Sequence, residues 1–265
     1  MQGRSWIVLG TAVLIAGACA GARGAQVELG GELEMSVRSD FVWRGEVISD
    51  DPVIQPAAMV YADNLSAAAR GTWALSSDDD DTWDSRGDLV LDYTAAWRKQ
   101  LLSAGAIAYI YHDSGVGSQD DTFEAYLGYS VDVPTLPAVT VYYDFQEIEG
   151  WYAEFSVGHS FRLGSDRLSL DLGASVAAAD EEYVRNVFVV PADEDTGFEG
   201  ARAEEAGLVD LELSARIVIK LEERFAVTPG YTYSCLLDSD LRDVADAAGM
   251  DTDSSIVSVT GSMYF

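Results

Sequence analysis

From Val27 onward, apolar and polar residues alternate in runs of about ten, and the polar connections between runs are by turns very short and longer. That is the cumulative pattern of strands that cross a bilayer in a closed barrel. From Asp88 to Arg98, Leu89, Leu91, Tyr93, Ala95 and Trp97 share one face, while Asp88, Asp92, Thr94 and Arg98 share the other. One face suits lipid and the other water. The split recurs with Leu168, Leu170, Leu172, Ala174 and Val176 against Arg167, Ser169, Asp171, Gly173 and Ser175. It recurs again with Val209, Leu211, Leu213, Ala215, Ile217 and Ile219 against Asp210, Glu212, Ser214, Arg216 and Lys220. A one-residue slip in this last run would aim its charges at lipid, at about 2–4 kcal/mol each near the midplane, so the pattern sets the register.

The runs predict strands at about 26–38, 53–63, 65–76, 88–99, 100–112, 121–132, 138–147, 150–162, 166–179, 207–221, 223–235 and 254–265. Short turns near Asp63-Asn64, Lys99-Gln100, Val133 to Pro137, Leu163 to Ser165 and Glu222 fall on one side. Long connections at 39–52, 77–87, 180–206 and 236–253 fall on the other. The expected fold is all-β: a closed up-and-down antiparallel transmembrane β-barrel of about twelve strands. A two-sheet sandwich is the competing arrangement, but an even number of amphipathic strands closes more naturally into one cylinder. Trp73, Trp97, Tyr109, Phe123, Phe145, Trp151 and Phe161 fall near strand ends on apolar faces, where interfacial girdles belong. Pro229 cannot donate a ladder hydrogen bond, which predicts a bulge or local kink in the eleventh run.

The first residues read differently. Arg4, an apolar run from Trp6 to Ala18 and small residues after it form an export signal, so 1–24 is expected to leave and 25–265 to form the barrel domain. Cleavage fits after Ala20 or after Gly24; acylation of Cys19 is the alternative. Without Cys19, Cys235 is the single cysteine and no internal disulfide forms. With 45 acidic against 16 basic residues, the formal charge of −29 argues against nucleic-acid partners and against docking on anionic lipid headgroups.

Ser39-Asp40-Phe41-Val42-Trp43-Arg44-Gly45, with Asp51-Pro52 and Ile54-Gln55 after it, resembles the opening of the TorF family of outer-membrane proteins assigned as porins. Phe123 to Tyr129 and Tyr152 to Ser156 are similar to that family's middle strands, and the stretch from Leu236 to Phe265 resembles related barrel proteins. The resemblance implies an outer-membrane barrel with a pore; it carries over no substrate and no catalytic residue. Phe265, with Met263 two before it, is similar to the terminal signal recognised by the barrel-assembly machinery, with Gly261 one place from the usual glycine position.

In this register the lumen receives Glu32, Glu34, Arg38, Arg70, Asp92, Arg98, Glu124, Asp132, Asp144, Glu154, Asp171, Asp210, Glu212 and Arg216. Two outcomes compete: a wetted pore whose acidic excess favours small polar or cationic solutes, or a network of Arg and carboxylate pairs that fills the barrel. Asp78 to Asp81, Asp50-Asp51, Asp120-Asp121 and the 180–205 loop concentrate carboxylate on the long-loop side, where a hard cation such as calcium could bind; lacking the spaced pattern of a dedicated calcium loop, they read as a solvated surface, and no metal or cofactor is assigned. The chain is not expected to be an enzyme. His159 is followed two places on by Phe161, and the His112-Asp113-Ser114 trio faces the lumen beside a Gly-rich turn instead of forming a hydrolase site. A channel is the expected function; a non-conducting anchor whose acidic loops serve interaction or adhesion is the alternative, with an outer-membrane lipid hydrolase a formal runner-up.

Overall fold

The computed structural model describes residues 29–75, 85–112, 120–190, 200–247 and 249–265. The export segment, Asp78 to Asp81 and the Asp113-Ser114 part of the histidine trio lie outside the described residues.

In chain order the elements are β1 (Leu29–Arg38), β2 (Phe41–Trp43), β3 (Glu46–Ser49), β4 (Val53–Ala62), β5 (Leu65–Ala74), β6 (Ser85–Trp97), β7 (Gln100–His112), β8 (Thr122–Val131), β9 (Ala138–Asp144), β10 (Trp151–Arg162), β11 (Leu168–Ala179), α1 (Glu181–Val187), β12 (Val189–Val190), β13 (Ala201–Arg202), β14 (Gly207–Lys220), β15 (Phe225–Leu236), α2 (Ser239–Ala247) and β16 (Asp253–Tyr264). Twelve of these strands close a single antiparallel barrel in the order β1-β16-β15-β14-β11-β10-β9-β8-β7-β6-β5-β4. Closure is made where β1 pairs with β16, with Glu32 opposite Tyr264 and Arg38 opposite Ser258, so no edge is left open. The two-sheet alternative is thereby removed. The hairpins β2-β3 and β12-β13 stand outside the barrel sheet, in the long connections.

The solvent logic is inverted relative to a water-soluble domain. Leu33, Met35, Val60, Leu91, Leu127 and Val257 are exposed, whereas Asp92, Glu124, Asp144, Glu154 and Asp171 are buried. A continuous apolar outer face suits hydrocarbon, and the alternation of the strands sends their polar groups inward. Trp73, Trp97, Phe123, Phe145, Trp151 and Phe161 lie exposed on the outer face.

Four local expectations need correction. Tyr109 is only 1% exposed and packs inside the barrel. β7 has apolar residues on both faces, Ile107 and Tyr109 inward and Leu102 and Ile110 outward, so alternation gave no phase there. By the same register His112, opposite Ser85 and next to the inward Tyr111, faces outward and is exposed. Val209 is fully buried rather than lipid-facing, because the β11-β14 pairing shifts between Val176 and Ala178. The extra residue in β14 lets Val209 and Asp210 both point inward, as a bulge does. At Pro229 no bulge forms: the β14-β15 ladder is interrupted between Arg216-Gly230 and Ile219-Val227 and resumes in the same register.

Leu127 is mid-strand on the outer face and 68% exposed. Leu127→Arg is expected to lower barrel stability by about 2–4 kcal/mol in urea unfolding from lipid vesicles. Thr228→Arg, on the inner wall, should cost far less.

Candidate functional site

The interior is organised by a hairpin that turns into the barrel instead of away from it. Phe41 and Trp43 alternate along β2, and both are buried. The reversal is made by Arg44 and Gly45, both in the left-handed region at φ 52° and 83°. Gly45 is needed for space as well. A Cβ there would lie 2.6 Å from Asp210 Cβ and 2.8 Å from Leu236 Cδ2, so the tip presses on the wall formed by β14 and β15. Two strands this short are not independently stable, and their order depends on docking.

Arg44 supplies the docking contact. Its guanidinium donates to Glu124 Oε1 at 2.6 Å and Oε2 at 2.8 Å, a bidentate pair between the hairpin tip and β8, and both side chains are buried. It also donates to the Tyr183 hydroxyl at 3.2 Å, while Tyr109 donates to Glu124 Oε2 at 2.9 Å. The rings of Trp43, Tyr142 and Tyr152 stand 4.8, 4.8 and 4.3 Å from the guanidinium carbon. Burial works against the charge of Arg44, but Glu124, Tyr183 and Tyr109 outweigh it and hold the group well above its ordinary range. A second cation stiffens the same region: Arg86 Nε lies 2.8 Å from Asp88 Oδ1, and its guanidinium sits 5.0 Å from the rings of both Phe41 and Tyr109.

Tyr183 comes from the long connection after β11. Asp180 caps α1 by accepting from Tyr183 N at 2.9 Å, and accepts from Trp151 N at 3.1 Å, which ties the helix to β10. Gly150 lets the helix approach, since a Cβ there would lie 2.4 Å from Tyr183 N. With Val184, Phe188, Val209, Leu236, Leu241 and Val244, these groups form one apolar core across the long-loop end. Among the described residues this core fills the barrel on that side. On β3, burial pushes the Glu46 carboxyl from 4.5 up to about 7. The docked hairpin therefore holds a proton that the free hairpin releases, and docking loses stability as pH rises from 4.5 towards 7.

Below the hairpin lies a cavity of about 1180 Å³. Its lining reaches the short turns through Arg162, Arg167, Lys220 and Glu222, and it ends upward on Phe41, Val42, Arg44 and Gly45. It is a chamber entered from the short-turn end. Glu32, Glu34, Arg38, Arg70, Glu154, Asp171, Asp210, Glu212 and Arg216 line it. Asp92, Glu124 and Asp144 are interior but lie in the packed half, where Asp92 accepts from Thr94 at 2.7 Å and Tyr126 at 2.8 Å, and Asp144 accepts from the amides of Gln146 and Ile148 at 2.9 Å.

Arg98 and Asp132 require correction. Arg98 adopts φ 60° in the turn after β6 and stacks 4.8 Å from the exposed Trp97 ring, because the turn removes it from strand alternation. Asp132 follows the end of β8 and is exposed. The acidic excess read along the strands also fails to describe the chamber, where nine carboxylates face eight Lys and Arg side chains.

The groups missed from sequence are Arg44, Arg86, Tyr109 and Tyr183. The Phe-x-Trp alternation before Arg44-Gly45 was the available sign of an apolar hairpin.

Comparison with known proteins places these features in context. The sequence matches the family described as MltA-interacting protein MipA over residues 9–243. The match does not carry the TorF name. No curated protein matches the chain. Among solved structures, the KdgM porin superposes with a TM-score of 0.50 at 9% identity, covering 89% of this chain and 99% of that one. The KdgM porin in complex with disordered oligogalacturonate gives the same values. The NanC porin gives 0.49 at 8% identity over 88% and 98% of the two chains. At such identities the likeness concerns the fold.

Removing one partner of a buried ion pair strands the other, so Arg44→Ala and Glu124→Ala should each cost about 3–5 kcal/mol in urea unfolding. The double variant should cost less than their sum, and Arg44→Lys should recover little because it lacks the bidentate fork and stacking plane.

Proposed function

The chain belongs to the MipA family of outer-membrane β-barrel proteins, and from that premise we propose that it is a porin-like channel of the bacterial outer membrane whose long-loop end is closed by an internal gate. The export segment and the outward apolar face support delivery across the inner membrane and insertion into outer-membrane lipid by the barrel-assembly machinery. The observation that carries the reading is the contrast within the lumen. A polar chamber of about 1180 Å³ runs up from the short turns and stops at a hairpin which is no part of the barrel wall. A passage filled by strand side chains could open only by breaking the barrel, whereas a hairpin docked through side-chain contacts centred on one buried ion pair can leave with the wall intact. The solutes would be small and polar, since the lining is charged and hydroxylated.

A second reading is favoured by the closed end and by the family's description as MltA-interacting. In it the barrel does not conduct, and its chamber and short turns serve a periplasmic partner.

Planar-bilayer recording separates the two. Wild-type protein is expected to show rare openings, and Arg44→Ala combined with Glu124→Gln sustained unitary currents. A folded double variant that passes no current would sink the channel and leave the partner reading.

A further inference from the structure

Half of the chain's basic residues, eight of sixteen, line the chamber of a protein whose formal charge is −29. They are not used alike. Arg44 and Arg86 are locked to Glu124 and Asp88. Among the described residues, Arg38, Arg70 and Arg216 have no carboxylate within ion-pair distance, and Arg38 Nε, like the Nε atoms of Arg44 and Arg86, is buried with no hydrogen-bond partner. A buried donor without a partner is a standing cost that a suitable acceptor would relieve.

Small residues of the wall here make room for the Arg216 side chain itself. Arg38 is opposite Ser258, Ser258 is opposite Gly230, and Gly230 is opposite Arg216. Arg216 lies across Gly230, its Cγ 3.1 Å from where a Cβ would stand. Arg38 and Arg216 thus flank a row of two small residues. Arg70 approaches from the other side of β1, opposite Ala57, which is opposite Glu34. The lining here is hydroxyl-rich, with Ser36, Thr228, Thr232, Ser258, Thr260 and Ser262, while Tyr109, Tyr126 and Tyr142 occupy the opposite half of the barrel. Arg38 feels the negative charge of Glu212 first, then the positive charge of Arg70, the negative charge of Asp40 and the positive charge of Arg216, and Arg216 in turn feels the carboxylates of Asp171, Glu212 and Glu34.

We propose that Arg38, Arg70 and Arg216 form a binding site, entered from the short-turn end, for a small polyhydroxylated oxyanion: a sugar acid or a sugar phosphate. Guanidinium groups match the two oxygens of a carboxylate or phosphate, and the Ser and Thr wall matches hydroxyls. The inference deepens the channel reading by naming the solute class that its chamber selects, and it reverses the cation preference expected from the strands.

The test is isothermal titration of the full chain, folded in detergent micelles, with gluconate, glucose 6-phosphate and neutral glucose. At least one of the two anions should bind at a single site at least tenfold more tightly than glucose; which one binds tells carboxylate from phosphate. Arg38→Gln and Arg216→Gln should each weaken that anion at least tenfold, Arg216→Lys should weaken it less, and binding of glucose should not change. Heat-modifiable electrophoretic migration identifies folded variants. Equal binding of glucose and the anions, no binding of either anion, or anion affinity unmoved in folded Arg→Gln variants would overturn the proposal. Titration needs no current and the bilayer recordings need none of these anions, so either reading can fail while the other stands.

Discussion

A guanidinium and a carboxylate shut away from water inside a barrel are tolerable only together. Arg44 and Glu124 are such a pair, and most of the interior follows from satisfying them. Glu124 needs Tyr109 as a further donor, Arg44 needs aromatic faces and the Tyr183 hydroxyl, and Tyr183 in turn needs the Asp180 cap and the gap at Gly150. A hairpin too short to persist alone thereby becomes the ceiling of the barrel. The energetic cost of an unpaired partner makes its position selective.

The same contact divides the lumen into two environments. The half built from β6 to β10 carries Tyr109, Tyr126, Tyr142 and Tyr152 and is filled by them, the hairpin and two paired arginines. The half built from β14 to β16 and β1 carries Ser, Thr and Gly and stays open. Side-chain size, not strand number alone, sets how much of a twelve-stranded barrel is passage. Among the described residues Arg38, Arg70 and Arg216, which face the open half, have no carboxylate within ion-pair distance, unlike Arg44 and Arg86 across the lumen, so the two halves differ in what they could bind.

The barrel was legible because lipid outside and polar groups inside impose a period of two, visible in β6, β11 and most of β14. Legibility ended where the interior ceased to be polar. In β7 Ile107 and Tyr109 face a core, so both faces read as apolar, and at Val209 a bulge moved an apolar residue inward without a mark in the sequence. The acidic stretch from Asp180 has the polarity of a loop, yet Asp180-Glu181-Glu182 begins a capped helix. Within connection 39–52 no local rule says on which side of the rim a hairpin folds; that is decided by Glu124, eighty residues away from Arg44. For the lumen charges, alternation located side chains by face but could not tell paired from unpaired arginines.

The central claim, that β2 and β3 are held inside the barrel by the Arg44-Glu124 pair, is tested most directly by amide hydrogen exchange across residues 41–49 in the folded protein. The account predicts slow exchange there in the wild type, and in Glu124→Gln a large acceleration confined to the hairpin while the barrel strands stay protected. Fast exchange of 41–49 in the wild type, or protection unchanged by Glu124→Gln, would contradict it.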